Sequence, residues 1–483
     1  FRNLHFPSCT QAYREARYRD QYSSLYVYLT AIRLNRAYRM DPEADASVAE
    51  TDLTPFLDRL PFRLTEGQMQ AVRDIQADLR DRRPMNRLVQ GDVGCGKTVV
   101  AETAVYSVLK AGGQCAFMAP TEILARQHWK KLSADMEPFG FRTELLVSGL
   151  KARERRAILQ DLAEGKIDLM IGTHALIQED VEFRDLRLLI TDEQHRFGVS
   201  QRRSLTEKGK TPNVLVMSAT PIPRTLQATV FGDMDFSVIR TRPASRKKIT
   251  TRCVPESGRR RAYECVRKEL EQGHLAYVVA PSIENNDESG LVSVEQLYEE
   301  IRKRFAGFRT GLLHGRMDKE EKERIMQRFA SGELQLLVST VVIEVGIDVP
   351  DATVIVIENS DRFGLAQLHQ LRGRVGRNDL QSYCYLVNYS KSESAAERMK
   401  VMTEISDGFE ISEEDFRLRG PGDLMGTMQH GTGTTGQLLT LFRNEELVRA
   451  VTQDVEADAE LPASQELRRR LLLLSAGDNS NIL

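Results

Sequence analysis

The sequence has little of several features that would assign it to a specialised class of protein. Its 483 residues include one tryptophan and six cysteines, and no two cysteines have the Cys-x-x-Cys spacing of a zinc or redox site. No apolar run approaches the ~18 residues that a membrane-spanning helix requires. Net charge is also small, at −2, because 67 Lys and Arg residues nearly balance 69 Asp and Glu residues. These absences argue against a disulfide scaffold and a helical membrane protein, and they mean that any nucleic-acid binding depends on local basic patches.

Composition and length instead predict a soluble protein of several domains. Hydrophobic residues make up 41% of the chain and charged residues 28%, which is typical of globular domains. At about 150 residues per domain, the length predicts roughly three domains. The first residue is Phe1 rather than methionine, and no signal peptide follows it. We therefore expect the chain to be a piece of a longer cytoplasmic protein.

Residues 11–40 have an unusual composition. They contain six of the thirteen tyrosines, together with six arginines and only two acidic residues. Tyrosine and leucine recur here at helical spacing, which predicts an amphipathic helix packed on a neighbouring element. The alternative is a basic helix that faces nucleic acid.

Short apolar runs alternate with helical patterns from about residue 61, and the rhythm restarts after residue 240. Such alternation predicts parallel sheets with helices on both faces, so the expected fold class is α/β with two such domains in tandem. We expect an N-terminal helical segment at 1–60, α/β domains at 61–240 and 241–390, and a C-terminal element at 391–483. The predicted strands are Arg87–Gln90, Cys115–Ala119, Ile167–Ile171, Leu186–Thr191, Val214–Met217, Ala276–Ala280, Gly311–Leu313, Leu334–Ser339, Ala352–Ile357 and Ser382–Val387.

The C-terminal element is predicted to contain two helices and a glycine-rich loop. The pattern predicts a helix over Lys391–Glu404 and a turn at Asp407 and Gly408. Ser412 precedes three acidic residues, which predicts that it is the N-cap of the second helix. The glycine-rich loop follows from Arg419.

The most specific motif lies between a predicted strand and a predicted helix. Residues 91–98 match G-x-x-x-x-G-K-[ST] in full, which is the pattern of a phosphate-binding loop. Its glycines let backbone N–H groups point at a phosphate, and the next helix adds the positive end of its dipole. We expect Lys97 to contact the β- and γ-phosphates of ATP and Thr98 to ligate Mg²⁺. The predicted nucleotide-binding residues are Gly91, Asp92, Val93, Gly94, Cys95, Gly96, Lys97 and Thr98.

Two adjacent carboxylates follow the predicted strand Leu186–Thr191. The carboxyl ends of parallel strands form the ligand-binding edge of an α/β sheet, so Asp192 and Glu193 should lie at the same edge as the loop. We expect Asp192 to ligate Mg²⁺ together with Thr98, and Glu193 to activate the attacking water.

A dense basic run occupies residues 370–377 of the second predicted domain. Arg374 and Arg377 are three positions apart, which predicts that they share one side of a helix. They could then reach a triphosphate across the cleft as arginine fingers, an effect worth roughly 10³–10⁵ in rate. The predicted catalytic residues are Lys97, Asp192, Glu193, Gln370, Arg374 and Arg377.

Together these motifs resemble those of superfamily 2 helicases and translocases over residues 61–390. The resemblance implies further nucleotide contacts by Phe62, Gln68, Gly346 and Asp348. Residues 119–128 and 172–174 resemble the nucleic-acid contact motifs of the first domain in that superfamily. The residues that the resemblance assigns to nucleic acid are Thr121, Thr173 and Thr340.

Finer details resemble the RecG family of bacterial branched-DNA helicases. The similar runs are at 192–199, 220–225, 314–317 and 343–350. Arg398, Arg419 and Gln429 fall at the positions of that family's translocation motif, a helical hairpin and loop. In the family, this element is thought to turn closure of the motor domains into movement along duplex DNA.

The resemblance implies a monomeric, ATP- and Mg²⁺-dependent translocase on double-stranded DNA, located in the bacterial cytoplasm at the nucleoid. It would remodel stalled replication forks and Holliday junctions in recombination and repair. Family members carry an N-terminal wedge domain, and we expect residues 1–60 to be the linker from such a domain. The alternatives are the motor of a transcription-repair coupling factor, which usually has a second Glu where this chain has Gln194, an RNA helicase, and a catalytically silent scaffold.

Overall fold

The computed structural model shows two parallel β-sheets, one in each half of the chain. It describes residues 2–38, 45–192, 208–209, 212–218, 234–241, 247–281, 293–341, 349–419 and 444–457. The two parallel sheets with their flanking helices confirm the predicted fold class.

The first sheet has seven strands in the described residues, in the order β3-β4-β2-β5-β6-β1-β7, and every pair is parallel. Parallel strands are buried on both faces, which explains why the central ones are continuous apolar runs. The strands are β1 (Asn86–Gly91), β2 (Gln114–Met118), β3 (Thr143–Leu146), β4 (Leu169–Gly172), β5 (Leu186–Asp192), β6 (Asn213–Ser218) and β7 (Asp235–Ile239).

The second sheet has six strands in the part that the structure describes, again all parallel, in the order β10-β11-β9-β12-β13-β8. We refer to the parts of the chain built on the two sheets as the first and second domains. The strands are β8 (Thr250–Pro255), β9 (Leu275–Val279), β10 (Thr310–Leu313), β11 (Leu336–Ser339), β12 (Ala352–Ile357) and β13 (Tyr383–Asn388).

Helices cover the sheets and extend beyond them at both ends of the described chain. Before and within the first domain they are α1 (Arg2–His5), α2 (Thr10–Tyr38), α3 (Thr54–Leu57), α4 (Glu66–Arg80), α5 (Lys97–Lys110), α6 (Glu122–Met136) and α7 (Ala152–Ala163). Within and after the second domain they are α8 (Arg259–Glu271), α9 (Val294–Arg304), α10 (Lys319–Ala330), α11 (Leu365–Arg372), α12 (Glu393–Glu404), α13 (Gly408–Arg419) and α14 (Glu445–Ala457). None of the helices described is both long and apolar enough to cross a membrane.

The tyrosine-rich segment forms the long helix α2, and one face of it packs against α14 near the C-terminus. Leu25 and Leu29 of α2 share a buried apolar cluster with Leu447 and Val451 of α14. The Tyr22 hydroxyl adds a hydrogen bond to Asp454. This confirms the prediction of an amphipathic helix packed on a neighbour.

The turn between α12 and α13 corrects one detail of the sequence prediction. Helix α13 begins at Gly408, so Ser412 lies in its second turn and is not its N-cap. Asp407 takes the capping position, where its Oδ1 accepts a hydrogen bond from Phe409 N at 2.7 Å. An aspartate caps a helix by the same acceptor chemistry as a serine, and the sequence offered both residues within six positions.

Candidate functional site

The predicted phosphate-binding loop connects the end of β1 to the start of α5. Gly94 and Gly96 have φ angles of 76° and 85°, in the left-handed region that favours glycine. A Cβ atom at Gly96 would lie 2.2 Å from Nε2 of Gln68, so any side chain there would displace Gln68. The loop therefore has the glycine-dependent shape that places backbone N–H groups around an anion.

Lys97 opens helix α5, and its side chain returns over the loop. Its Nζ donates hydrogen bonds to the carbonyl oxygens of Gly91, at 2.8 Å, and Asp92, at 3.1 Å. Thr98 is the second residue of the helix and is partly exposed. An ammonium group and a helix N-terminus thus meet at the loop, which is the arrangement that binds phosphate.

Gln68 is bound to the loop in this structure. It forms a capping box with Thr65 at the start of α4, and its Nε2 donates to the carbonyl oxygen of Cys95 at 2.8 Å. Cys95 is 1% exposed, whereas Phe62 is 52% exposed. Gln68 still has a second N–H donor and a second acceptor lone pair that an adenine could use, and the assignment of Phe62 and Gln68 to adenine remains a prediction.

Asp192 ends strand β5, which is separated from β1 by β6. Its Oδ2 lies 3.1 Å from Nε2 of His128, and the His128 ring lies on Phe117 with ring centroids 4.5 Å apart. The sequence placed residues 119–128 among nucleic-acid contacts and missed this role for His128. Only the fold could reveal it, because 64 positions separate the two residues.

A buried carboxyl group lies behind the loop, on the helix that the loop begins. Glu102 of α5 is 0% exposed, and its Oε1 is paired with Lys131 of α6. Its Oε2 is buried and has no hydrogen-bond partner among the described residues. Burial penalises the carboxylate and raises the pKa of Glu102 to about 7, although Lys131 opposes the shift.

The second domain presents the basic run to the loop, but not as one helix. Helix α11 ends at Arg372, with Gly373 as its C-cap, so Arg374 and Arg377 lie beyond it in turn and loop. The prediction that they share one side of a helix is therefore wrong. Gly376, which lies between the two arginines, has a φ of 74° that a right-handed helix does not allow.

The two domains touch at the loop itself. A Cβ atom at Gly373 would lie 3.0 Å from Cβ of Val93, so the two backbones pack closely here. Nε2 of His369, on α11, lies 2.6 Å from Oδ1 of Asp92 in the loop. Gln370 is adjacent to His369 and is 9% exposed. The structure thus brings the basic run of the second domain against the phosphate-binding loop of the first.

The residues assigned to DNA or translocation have structural contacts here. Thr121 is the N-cap of α6, where its Oγ1 accepts from Leu124 N at 3.4 Å. Thr173 and Thr340 are each 4% exposed. Arg398 of α12 donates to carbonyl oxygens of the segment that leads into α11. Their contacts with DNA remain predictions.

Several predicted residues cannot be placed. Glu193, Gly346, Asp348 and Gln429 lie outside the described residues, as does the side chain of Arg419, whose backbone ends α13. Among the predicted site residues, the described structure therefore brings together the loop, Gln68 and the basic run.

Sequence models of known families match three successive parts of the chain. Residues 65–229 match the DEAD/DEAH box helicase family, and residues 261–379 match the helicase conserved C-terminal domain. Residues 405–472 match the C-terminal part of domain 3 of the ATP-dependent DNA helicase RecG.

Individual proteins agree with these matches. The RecG helicase of Thermotoga maritima is 44% identical over 481 residues, which are 98% of this chain and 61% of that protein. The RecG helicase of Bacillus subtilis is 46% identical, over 89% of this chain and 63% of its own length. A solved structure of RecG bound to a three-way DNA junction has a TM-score of 0.77 and 42% identity, and the match covers 92% of this chain and 59% of that one. This chain thus spans about three fifths of its relatives' length. The order of its motifs, the shape of its loop and these similarities together show that the chain is similar to the RecG family of ATP-dependent DNA helicases along nearly its whole length.

Proposed function

We propose that this chain is the motor of an ATP-dependent DNA helicase, which hydrolyses ATP to ADP and phosphate and moves along double-stranded DNA. In the whole protein, the motor would remodel stalled replication forks and Holliday junctions during recombination and repair, as a monomer in the bacterial cytoplasm at the nucleoid. The observation that carries the proposal is the packing of the phosphate-binding loop against the basic run of the second domain, with Val93 on Gly373.

The roles proposed for the catalytic residues follow from this packing. Lys97 and the loop N–H groups would bind the triphosphate. Arg374 and Arg377 lie just beyond the helix that contacts the loop, and they would stabilise charge that develops in the transition state. Gln370 would support this segment, and Glu193 would orient and activate the attacking water. Nucleotide contacts by Gly346 and Asp348 would complete closure of the two domains.

The protein oxygens available suit Mg²⁺. In nucleotide sites Mg²⁺ takes one or two protein oxygens and completes its octahedron with phosphate and water, and it neutralises phosphate charge when bound. Thr98 and Asp192 offer a hydroxyl and a carboxylate of this kind at the same sheet edge. The described residues contain no group of three or more His, Cys, Asp and Glu side chains that could hold a metal ion alone, which agrees with a site completed by the nucleotide.

Double-stranded DNA is proposed as the track because of the segment that follows the second sheet. The match of residues 405–472 to RecG favours this reading over a transcription-repair coupling motor. Arg398, Arg419 and Gln429 would belong to the element that couples domain closure to movement. Binding should be directed mainly at phosphates and should weaken with salt.

The test is the steady-state ATPase rate without DNA and with single-stranded DNA, linear duplex or a model fork, using Lys97→Ala as the blank. We expect strong stimulation by duplex and no turnover in the blank. Stimulation only by single strands or RNA would refute the duplex-translocase proposal. No turnover under any condition would favour the silent scaffold instead.

A further inference from the structure

We propose that His369 and Arg372 are positioning residues that transmit the state of the phosphate-binding loop to the turn between helices α12 and α13. The connection runs from Asp92 in the loop, through these two side chains of α11, to backbone carbonyl groups of the turn. It deepens the motor function proposed above and rests on it. The contact between Asp92 and His369 and the contacts of Arg372 with the turn are not visible in a linear motif, because each joins residues that are distant in the sequence.

The first link is the contact between Asp92 and His369. Oδ1 of Asp92 lies 2.6 Å from Nε2 of His369 and also accepts a hydrogen bond from its neighbour Val93 N at 2.7 Å. The same carboxylate oxygen therefore holds both the loop backbone and the second domain. Any change in loop shape that moves the Val93 amide must also move or break the contact with His369.

The second link fixes the state of the histidine. Nη2 of Arg372 lies 2.9 Å from Nδ1 of His369, and a guanidinium group can only donate. Nδ1 must then accept, so the proton is on Nε2, which donates it to Asp92. The imidazole thus accepts a hydrogen bond from Arg372 and donates one to Asp92 of the loop. It can bind both partners only in one ring orientation.

The third link is the set of hydrogen bonds from Arg372 to the turn. The Arg372 side chain is almost fully buried, at 4% exposure of the residue. Its Nη1 donates to the carbonyl oxygens of Met402, at 3.0 Å, and Ile405, at 2.9 Å, and its Nη2 donates to that of Ser406 at 3.2 Å. These carbonyls lie at the C-terminal end of α12, where backbone acceptors lack helical partners and attract a cation.

Two further contacts attach the helices on either side of the turn, one of them to the first domain. Arg398, near the middle of α12, donates to the carbonyl oxygens of Phe363, at 2.7 Å, and Asp361, at 2.9 Å, so α12 and the start of α11 are joined at a second point. The guanidinium of Arg240, just after β7 of the first domain, lies 5.3 Å from the ring centroid of Phe409 in α13. Movement of one domain relative to the other must therefore act on this turn.

The test measures transmission directly, by hydrogen–deuterium exchange of the intact chain with and without AMP-PNP and Mg²⁺. In the unmodified chain we expect the nucleotide to change exchange in both the loop, residues 91–98, and the turn, residues 401–411. His369→Leu and Arg372→Lys should keep the response of the loop and lose that of the turn, a difference of about fivefold or more in exchange rate. Lysine carries the charge but cannot bridge three carbonyls and an imidazole at once.

His274→Gln is the matched control. His274 also pairs with a carboxylate in the second domain, with Nδ1 2.8 Å from Oε2 of Glu269, but it takes no part in the links from the loop to the turn. It should keep both responses. His369→Gln, which keeps a donor, provides a milder variant if His369→Leu folds poorly. A turn that still responds to nucleotide in the His369 and Arg372 variants, or that does not respond in the unmodified chain, would overturn the proposal.

A second measurement separates this proposal from the motor function. Displacement of a third strand from duplex DNA reports translocation, and its rate divided by the ATPase rate reports coupling. We expect this ratio to fall about tenfold in His369→Leu, the scale of one lost hydrogen bond to a charged group, and not in His274→Gln. If the unmodified chain displaces no third strand, the motor proposal fails while the exchange result still decides the transmission. If ATPase and displacement fall in proportion, the two residues serve stability or hydrolysis and not coupling.

Discussion

Replacing Glu102 with glutamine should remove a large part of the pH dependence of the stability of the first domain. The carboxyl group is 0% exposed, and its burial raises its pKa from the ordinary value of 4.5 to about 7. The folded chain therefore holds this proton more tightly than the unfolded chain does. Its contribution to the free energy of unfolding is complete below about pH 4.5 and is lost as the pH rises through about 7.

The size of the effect follows from the two pKa values. Their difference, at about 1.4 kcal/mol per pKa unit, corresponds to about 3 kcal/mol between the acid and alkaline limits. Between pH 5 and pH 8, the unfolding free energy of the unmodified chain should fall by roughly 2–3 kcal/mol relative to Glu102→Gln. Lys131→Gln removes the cation that opposes the shift, and it should move the loss to higher pH.

The assay is urea unfolding followed by tryptophan fluorescence at a series of pH values. Trp129 is the single tryptophan of the chain, and it lies on α6 of the first domain, where its Nε1 donates to Thr143 O. Its signal therefore reports that domain alone. Glu164→Gln, at an exposed carboxylate whose pKa lies below its ordinary value, is the control and should show no such trend. A difference between Glu102→Gln and the unmodified chain that is constant from pH 5 to pH 8 would refute the reasoning.

Three further predictions concern the loop and its support. Gly96→Ala would place a Cβ atom 2.2 Å from Gln68 at a position with a left-handed backbone. The dissociation constant for ATP should therefore rise at least about tenfold in a direct binding titration, and unchanged affinity would contradict the loop geometry. Arg87→Leu removes the guanidinium that lies 2.5 Å from the Asp78 carboxylate. The free energy of unfolding in urea titrations should fall by roughly 3 kcal/mol, and a change near zero would contradict this prediction. Cys95 is 1% exposed, so brief treatment with Ellman's reagent should leave the ATPase intact, and rapid inactivation that Cys95→Ser prevents would show the opposite.

The strands that the sequence failed to predict share one property. All ten predicted runs correspond to strands, but Thr143–Leu146, Asp235–Ile239 and Thr250–Pro255 were missed. Each of the three lies at the edge of its sheet and is only partly buried. An apolar run is the signature of a strand with neighbours on both sides, whereas an edge strand needs fewer apolar residues and resembles a loop.

In the candidate site, features formed by consecutive residues were predictable from the sequence, whereas contacts between distant residues were not. The loop at residues 91–98 was predictable because its function depends on consecutive residues, as the φ angles of Gly94 and Gly96 show. The partners of Asp192 and Asp92 were not, because His128 and His369 reach them from other elements. Sequence spacing carries no information about which histidine a carboxylate will meet across 64 or 277 positions.

The buried polar residues of helix α11 nevertheless indicate contacts with other elements. It has only eight residues, yet His369, Gln370 and Arg372 are all at most 9% exposed. Burying polar groups is unfavourable unless their hydrogen bonds are satisfied, so a helix designed for packing alone would have apolar residues in these places. Here Arg372 donates to three carbonyls of the turn and to the imidazole of His369, which in turn contacts Asp92 of the loop. Buried polar residues that contact both the loop and the turn are what a connecting element requires, and they give α11 a role that neither sheet needs for its own stability.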